Sequence, residues 1–308
     1  MRIVFAGSPA AAVPSLQALV ASGHEVTAVL TREDSPFGRK RLLTPTPVAE
    51  VAVGLGLPVI KANRLAPVTE ELTSLDAELG VIVAYGGLVR EPLLSAPGHG
   101  WINLHFSLLP RWRGAAPVQR AIMAGDDVTG ASVFQLVEEL DAGPVYGWLT
   151  QSIGRNETAG HLLDSLAEAG AGLLVGVVDA IADGTARAEE QVGEVTLAPK
   201  LGVEDGRIDW NLRADAVHDR IRGATPEPGA FTMVDGHRLK ILDAVIARDR
   251  PTLAPGVFRF DGAVFVGTAT DPMELVTVQP AGKKPMRVAD WWRGLPSAPE
   301  GAAGRVAG

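Results

Sequence analysis

The first 105 residues alternate between short apolar runs and stretches of helical spacing, and this alternation constrains the fold more than any other feature. Runs at 2–6, 25–30, 57–60, 80–84 and 101–105 read as strands; 10–22, 46–54, 68–75 and 88–94 between them read as helices. Strand and helix taken in turn predict an α/β fold built on a parallel, doubly wound sheet. Such sheets bind ligands at the carboxyl ends of their strands. Asn103 and His105 lie at such an end, two residues apart, so both side chains point to one face.

Beyond residue 105 the pattern changes. A helix at 115–124 precedes strands at 131–137 and 144–152, then a long apolar helix at 158–182. Residues 183–205 are polar and irregular and read as an interdomain linker. A helix at 211–222 leads into short strands broken by Gly, Pro and Asp, at 228–234, 237–246, 255–260, 262–268 and 274–280, which predict a small β-barrel. The segment up to about Asp205 is expected to fold by itself, and the last residues, 296–308, to fray. A length of 308 residues suits two such domains.

Charge and composition remove several functions. From Asp205 onward 14 basic side chains face 13 acidic ones, so of the overall −8 the first 204 residues carry −9. A nucleic-acid partner would need a local basic patch. The absence of cysteine excludes disulfides, thiolate zinc sites and thiol catalysis, and fits a cytoplasmic protein. The six histidines are scattered, so no metal site is expected. No uninterrupted apolar stretch approaches the roughly 18 residues of a membrane span. Gly7-Ser8-Pro9 follows the first strand without a G-x-G-x-x-G pattern, and reads as a tight strand-to-helix turn.

The chemistry concentrates in WINLHFSLLPRWRGAAP, 101–117, and ELDAG, 139–143. An Asn carboxamide donates to a developing oxyanion, an imidazole donates or shuttles a proton, and a carboxylate orients the imidazole and sets its charge. Asn103, His105 and Asp141 supply one of each. The small residues of Gly114–Ala116 suggest that something passes close to the chain there. Between strand two and the next helix, Arg39, Lys40 and Arg41 form a basic run in a Gly- and Pro-punctuated loop, favourable for phosphate contact.

NLHFSLLPRWRGAAP together with LDAG resembles the folate-dependent formyltransferases. FAGSP, SGHEVTAVLT, PFGRKRLL with TPTPV, AYG, APKL, RIDW and QPAGKKPM extend the resemblance along almost the whole chain, toward the branch acting on charged tRNA. The resemblance implies a Rossmann-like formyl-transfer domain over 1–188, a linker over 189–206 and an OB-like barrel over 207–308. It implies 10-formyltetrahydrofolate as formyl donor, without metal or nucleotide, and initiator methionyl-tRNA as acceptor, in a cytoplasmic, monomeric enzyme of translation initiation. Asn103, His105 and Asp141 take the catalytic roles, with the imidazole charged. Ser107, Leu108, Leu109 and Pro110 line the folate pocket, and Arg39, Lys40, Arg41 and Lys200 face tRNA. Phe106 stands where the family has a small residue, and Pro144 where some members have Asp.

Transfer to an amino-sugar nucleotide or a purine precursor needs neither the basic loop nor the barrel. Hydrolysis of a formyl-folate uses the same three groups with water replacing the amine. The missing glycine fingerprint opposes a nucleotide-dependent oxidoreductase, and the complete triad opposes a non-catalytic RNA-binding protein.

Overall fold

Alternation does fold as strand and helix. The computed structural model describes residues 1–38, 41–295 and 305–307. In chain order it forms β1 (Arg2–Gly7), α1 (Val13–Ala21), β2 (Glu25–Thr31), β3 (Ser35–Phe37), β4 (Leu42–Thr44), α2 (Pro47–Gly54), β5 (Val59–Lys61) and α3 (Thr69–Ser74). Next come β6 (Leu79–Val83), β7 (Trp101–His105), α4 (Pro117–Met123), β8 (Val128–Gln135), β9 (Val145–Ser152) and α5 (Ala159–Ala182). The chain divides into two units, the first comprising Met1–Pro117, Val128–Ser152 and Leu163–Ala198, the second Val118–Asp127, Ile153–Leu162 and Pro199–Gly308.

The first unit is built on a Rossmann-like sheet in the order β5-β2-β1-β6-β7-β8-β9. Its strands read as unbroken apolar runs because both faces are covered. Ile3, Phe5 and Leu104 are buried on one face; Val4, Ala6 and Trp101 are buried on the other. Gly80 in β6 pairs with Trp101, and a Cβ there would lie 2.1 Å from the indole, so the close approach requires glycine. The Gly-Ser-Pro turn after β1 is structural: Ser8 Oγ donates to the Tyr85 carbonyl and accepts from the Arg32 N–H.

The five strands read from the alternation pair in parallel as expected, in the order β5-β2-β1-β6-β7. β8 and β9 extend this sheet antiparallel, β8 on β7 and β9 on β8. Only residues 136–144 separate β8 from β9, too few for the crossover that a parallel pair needs. The helix expected at 88–94 is a loop followed by one 3-10 turn, Leu93–Ser95; Pro92 brings no N–H to a helix there. On either side of the basic run, which was expected in a loop, β3 and β4 pair as antiparallel strands, Ser35 with Thr44 and Pro36 with Leu43. Among the described residues one helix, α5, is long and apolar enough by composition to cross a membrane. It serves as a core helix here: Leu166, Leu174 and Val178 are fully buried, and Gly170 packs on Leu104 of β7.

The second unit contains α6 (Ala214–Gly223), β10 (Phe231–Val234), β11 (His237–Ile246), β12 (Val257–Asp261), β13 (Ala263–Val266) and β14 (Met273–Pro280). It continues with β15 (Met286–Arg287), α7 (Val288–Arg293) and β16 (Arg305–Val306). The strands form a curled antiparallel sheet in the order β10-β11-β14-β13-β12-β16. Asp235 and Gly236, both with positive φ, form the two-residue turn of the first hairpin. Of the tail expected to fray, 296–304 and 308 lie outside the described residues, but 305–307 pair with the sheet: Arg305 and Val306 oppose Phe258 and Val257, and Ala307 bridges back to Val234 in β10. Trp210, Phe258 and Trp291 fill the interior edge to face. In the same unit α4 packs on α6, where a Cβ at Gly223 would lie 2.7 Å from Met123 Cγ.

Candidate active site

Asn103 and His105 leave one face of β7 as its two-residue repeat requires. Asp141 reaches them by a return path. Strand β8 ends with Gln135 opposite Ile102, and the Leu136 N–H donates to the Trp101 carbonyl at 2.7 Å. The chain then runs back along the face to Asp141, whose Oδ2 lies 3.8 Å from His105 Nδ1. The three groups line one cleft of about 800 Å³, within the range of small-molecule sites. The loop after β6, residues 84–91, forms one wall, and residues 136–141 form another. Leu88 and Leu140 bring exposed apolar surface to the cleft, and Phe106 brings a buried ring.

The imidazole is held at one nitrogen and faces a carboxylate with the other. Nε2 lies 2.9 Å from the Trp112 carbonyl, which only accepts, so Nε2 carries the proton. Nδ1 therefore faces Asp141. Burial pushes the His105 pKa below its ordinary 6.5; the Asp141 charge and the Trp112 carbonyl oppose this without overcoming it. That lowering favours the neutral ring at rest, where the resemblance implied a charged one. Asp141 Oδ2 accepts from the Gly114 N–H at 2.8 Å. Asn103 Oδ1 is buried without a partner, a costly state that a bound donor would relieve.

Backbone strain gathers here. Among the described residues, six without a glycine's freedom have positive φ, and Ala84, Trp112 and Asp141 are three of them. Each costs on the order of 1–3 kcal/mol and persists because its surroundings enforce it. Trp112 is enforced by its N–H bond to Thr196 Oγ1 at 2.9 Å. The neighbour that requires small residues at 114–116 is the chain's own segment 196–198. A Cβ on Gly114, at φ 126°, would lie 2.7 Å from the Ala198 carbonyl, which accepts from the Ala116 N–H.

Ser107, Leu108, Leu109 and Pro110 are not among the residues lining this cleft. Ser107 Oγ donates to the Arg111 carbonyl at 2.6 Å, and Leu109 packs with Phe134 and Val145. Buried Ser132 fastens the segment, donating to the Ser107 carbonyl and accepting from the Leu109 N–H. Arg41 is exposed in the turn between β3 and β4; Arg39 and Lys40 lie outside the described residues. Lys200 is exposed in the second unit. Among the described residues no cluster of His, Asp and Glu could hold a metal ion. Sequence reasoning missed Ser132, Gln191 and Thr196, which no local pattern marks.

Comparison with known proteins adds to this geometry. Residues 1–178 match the formyl transferase family, and residues 200–296 match the formyl transferase C-terminal domain. The chain is 63% identical over 297 residues to a methionyl-tRNA formyltransferase of Clavibacter sepedonicus, covering 96% of this chain and 97% of that one. It is 60% identical to the corresponding protein of Leifsonia xyli subsp. xyli, with the same coverage. A solved structure of an N-formyltransferase from Helicobacter canadensis, in complex with folinic acid and dTDP-3-aminofucose, aligns with a TM-score of 0.69. It covers 90% of this chain and 98% of that one at 16% identity, a likeness of fold.

Proposed function

The chain belongs to the formyl transferase family, and we propose that within it the enzyme moves a formyl group from 10-formyltetrahydrofolate to the α-amine of initiator methionyl-tRNA. The observation that carries this reading is the convergence of Asn103, His105 and Asp141 in one cleft of a chain so similar to methionyl-tRNA formyltransferases. The cleft suits a reduced folate, with apolar walls from Leu88, Leu136 and Leu140 beside polar groups at its floor. The folate supplies an activated formyl carbon. An ordinary α-amine titrates near 7.7–8.0, so a usable fraction is already neutral.

The chain's own groups serve the transfer in order. The partnerless Asn103 Oδ1 accepts a hydrogen bond from the amine, and Nδ2 donates to the formyl oxygen as negative charge develops. The amine nitrogen bonds to the formyl carbon and the carbon–nitrogen bond to the folate breaks. His105 Nδ1, free of the ring proton, takes the proton the amine loses. Asp141 stabilises the imidazolium so formed, and the proton passes to the departing folate nitrogen. Ser107–Pro110 act from behind the cleft, setting the loop whose Trp112 carbonyl orients His105. Arg39, Lys40, Arg41 and Lys200 contact tRNA phosphates. The enzyme acts as a monomer in the cytoplasm. An amino-sugar acceptor is disfavoured, because the relative that binds one shares the fold at low identity.

The test is direct. The protein is incubated with 10-formyltetrahydrofolate and either charged initiator or charged elongator tRNA, and formyl-methionine is measured. Formylation of the initiator is expected; release of formate with no formylated tRNA would instead support a hydrolase.

A further inference from the structure

The Asp141 carboxylate is held by Gly114, but its backbone, in a left-handed conformation at φ 47°, needs a separate anchor. That anchor comes from 50 residues downstream. Gln191 Nε2 donates to the carbonyls of Asp141 and Gly143, at 2.8 and 2.9 Å, using both of its hydrogens on the one turn. Its Oε1 accepts from Nε and an Nη of Arg113, at 3.1 and 2.7 Å. Arg113 also pairs with Glu139 at 3.2 Å, and its backbone bonds to Thr196 and Ala198. Gln191 is aimed there by an antiparallel bridge between Glu189 and Val145, at the start of β9. One half-buried carboxamide thus joins the loop that orients His105 to the turn that carries Asp141.

We propose that Gln191 is a positioning residue for formyl transfer: with Arg113 behind it, it fixes the Asp141 turn so that the carboxylate faces His105 Nδ1. The inference rests on the catalytic reading of Asp141 given above. Gln191 itself does not line the cleft, so it acts through Asp141 and leaves substrate binding alone. The charged group facing the imidazole is Asp141, with the Trp112 carbonyl at the other nitrogen. Loosening the turn withdraws that charge, and the His105 pKa falls further below its ordinary value.

The experiment uses the full chain with Gln191→Met, which keeps the side-chain length and removes both ends of the clamp without adding charge. The expected result is a kcat lowered about tenfold to a hundredfold, the scale of a misplaced catalytic group, with KM for folate and charged tRNA within about twofold. NMR titration of His105, assigned by its loss in His105→Gln, should show a lowered pKa. If Gln191→Met fails to fold, Gln191→Glu keeps the Arg113 end and breaks only the Asp141 end, and should give the same loss of kcat. A normal kcat, or a lowered kcat with an unmoved His105 titration, overturns the proposal. Asp141→Asn is the reference. If it is inactive while Gln191→Met is normal, the positioning inference alone fails; if it retains full activity, the role of Asp141 fails and the inference falls with it.

Discussion

The Asp141 carboxylate stands 3.8 Å from His105 Nδ1, beyond hydrogen-bond range and well within electrostatic range. The imidazole is neutral at rest, and the carboxylate lowers the cost of charging it. Nδ1 can therefore accept a proton during reaction and release it afterwards.

His105→Ala and Asp141→Ala are each expected to lower kcat by about 10²–10⁴-fold, the usual contribution of acid–base catalysis. Folate affinity should barely change, because these groups act on charge that develops only during transfer. Steady-state kinetics beside a fluorescence titration with folate checks this, and near-normal kcat in either variant would remove that residue from the mechanism.

Stability should decline in mild acid. Burial depresses the folded-state pKa of His105 and of His218, where the Arg222 charge adds to the effect. The unfolded chain binds protons at these rings from pH 6.5 downward while the folded chain does not, so stability present above 6.5 is lost as pH falls through it. The melting temperature measured between about pH 7.5 and 5 should fall, and His218→Gln should reduce the slope. An identical slope in that variant would contradict the assignment.

Neutralising Arg39, Lys40 and Arg41 together should raise KM for charged tRNA and leave folate affinity unchanged. Every phosphate that the variant no longer neutralises takes about 0.7–0.9 from the logarithmic salt slope of binding. Arg39 should dominate, since its guanidinium can fork onto a phosphate where Lys cannot. KM measured across a salt series decides; an unchanged slope would make the run an ordinary solvated face.

A fragment ending at Asp205 should not fold as a stable unit, contrary to the expectation from composition. It retains α4 but lacks α6, against which Met123 packs at Gly223. Urea unfolding of the fragment should show a weak or absent cooperative transition. A sharp transition like that of the full chain would show α4 to be dispensable.

Much of the fold was legible because local periodicity carried it. The run WINLH forms β7 with the expected ends, and HRLKILDAVI forms β11 likewise. The helix expected at 88–94 failed where Pro92 overrode the apolar spacing. The parallel pairing of β1, β2, β5, β6 and β7 was legible in their alternation with helices, whereas the antiparallel direction of β8 and β9 depends on a pairing partner and leaves no mark in the strand itself. Asn103 and His105 were readable together because a strand repeats every two residues.

By itself, the sequence determined the chemical groups, the strand that presents two of them, and the family to which the chain belongs. These follow from side-chain identity and from periods of a few residues. Only the tertiary structure decided that Asp141 returns along the sheet to His105, that the imidazole rests neutral, and that Gln191 holds the turn. Each depends on contacts between residues far apart in the chain, and on burial that exists only after those contacts form.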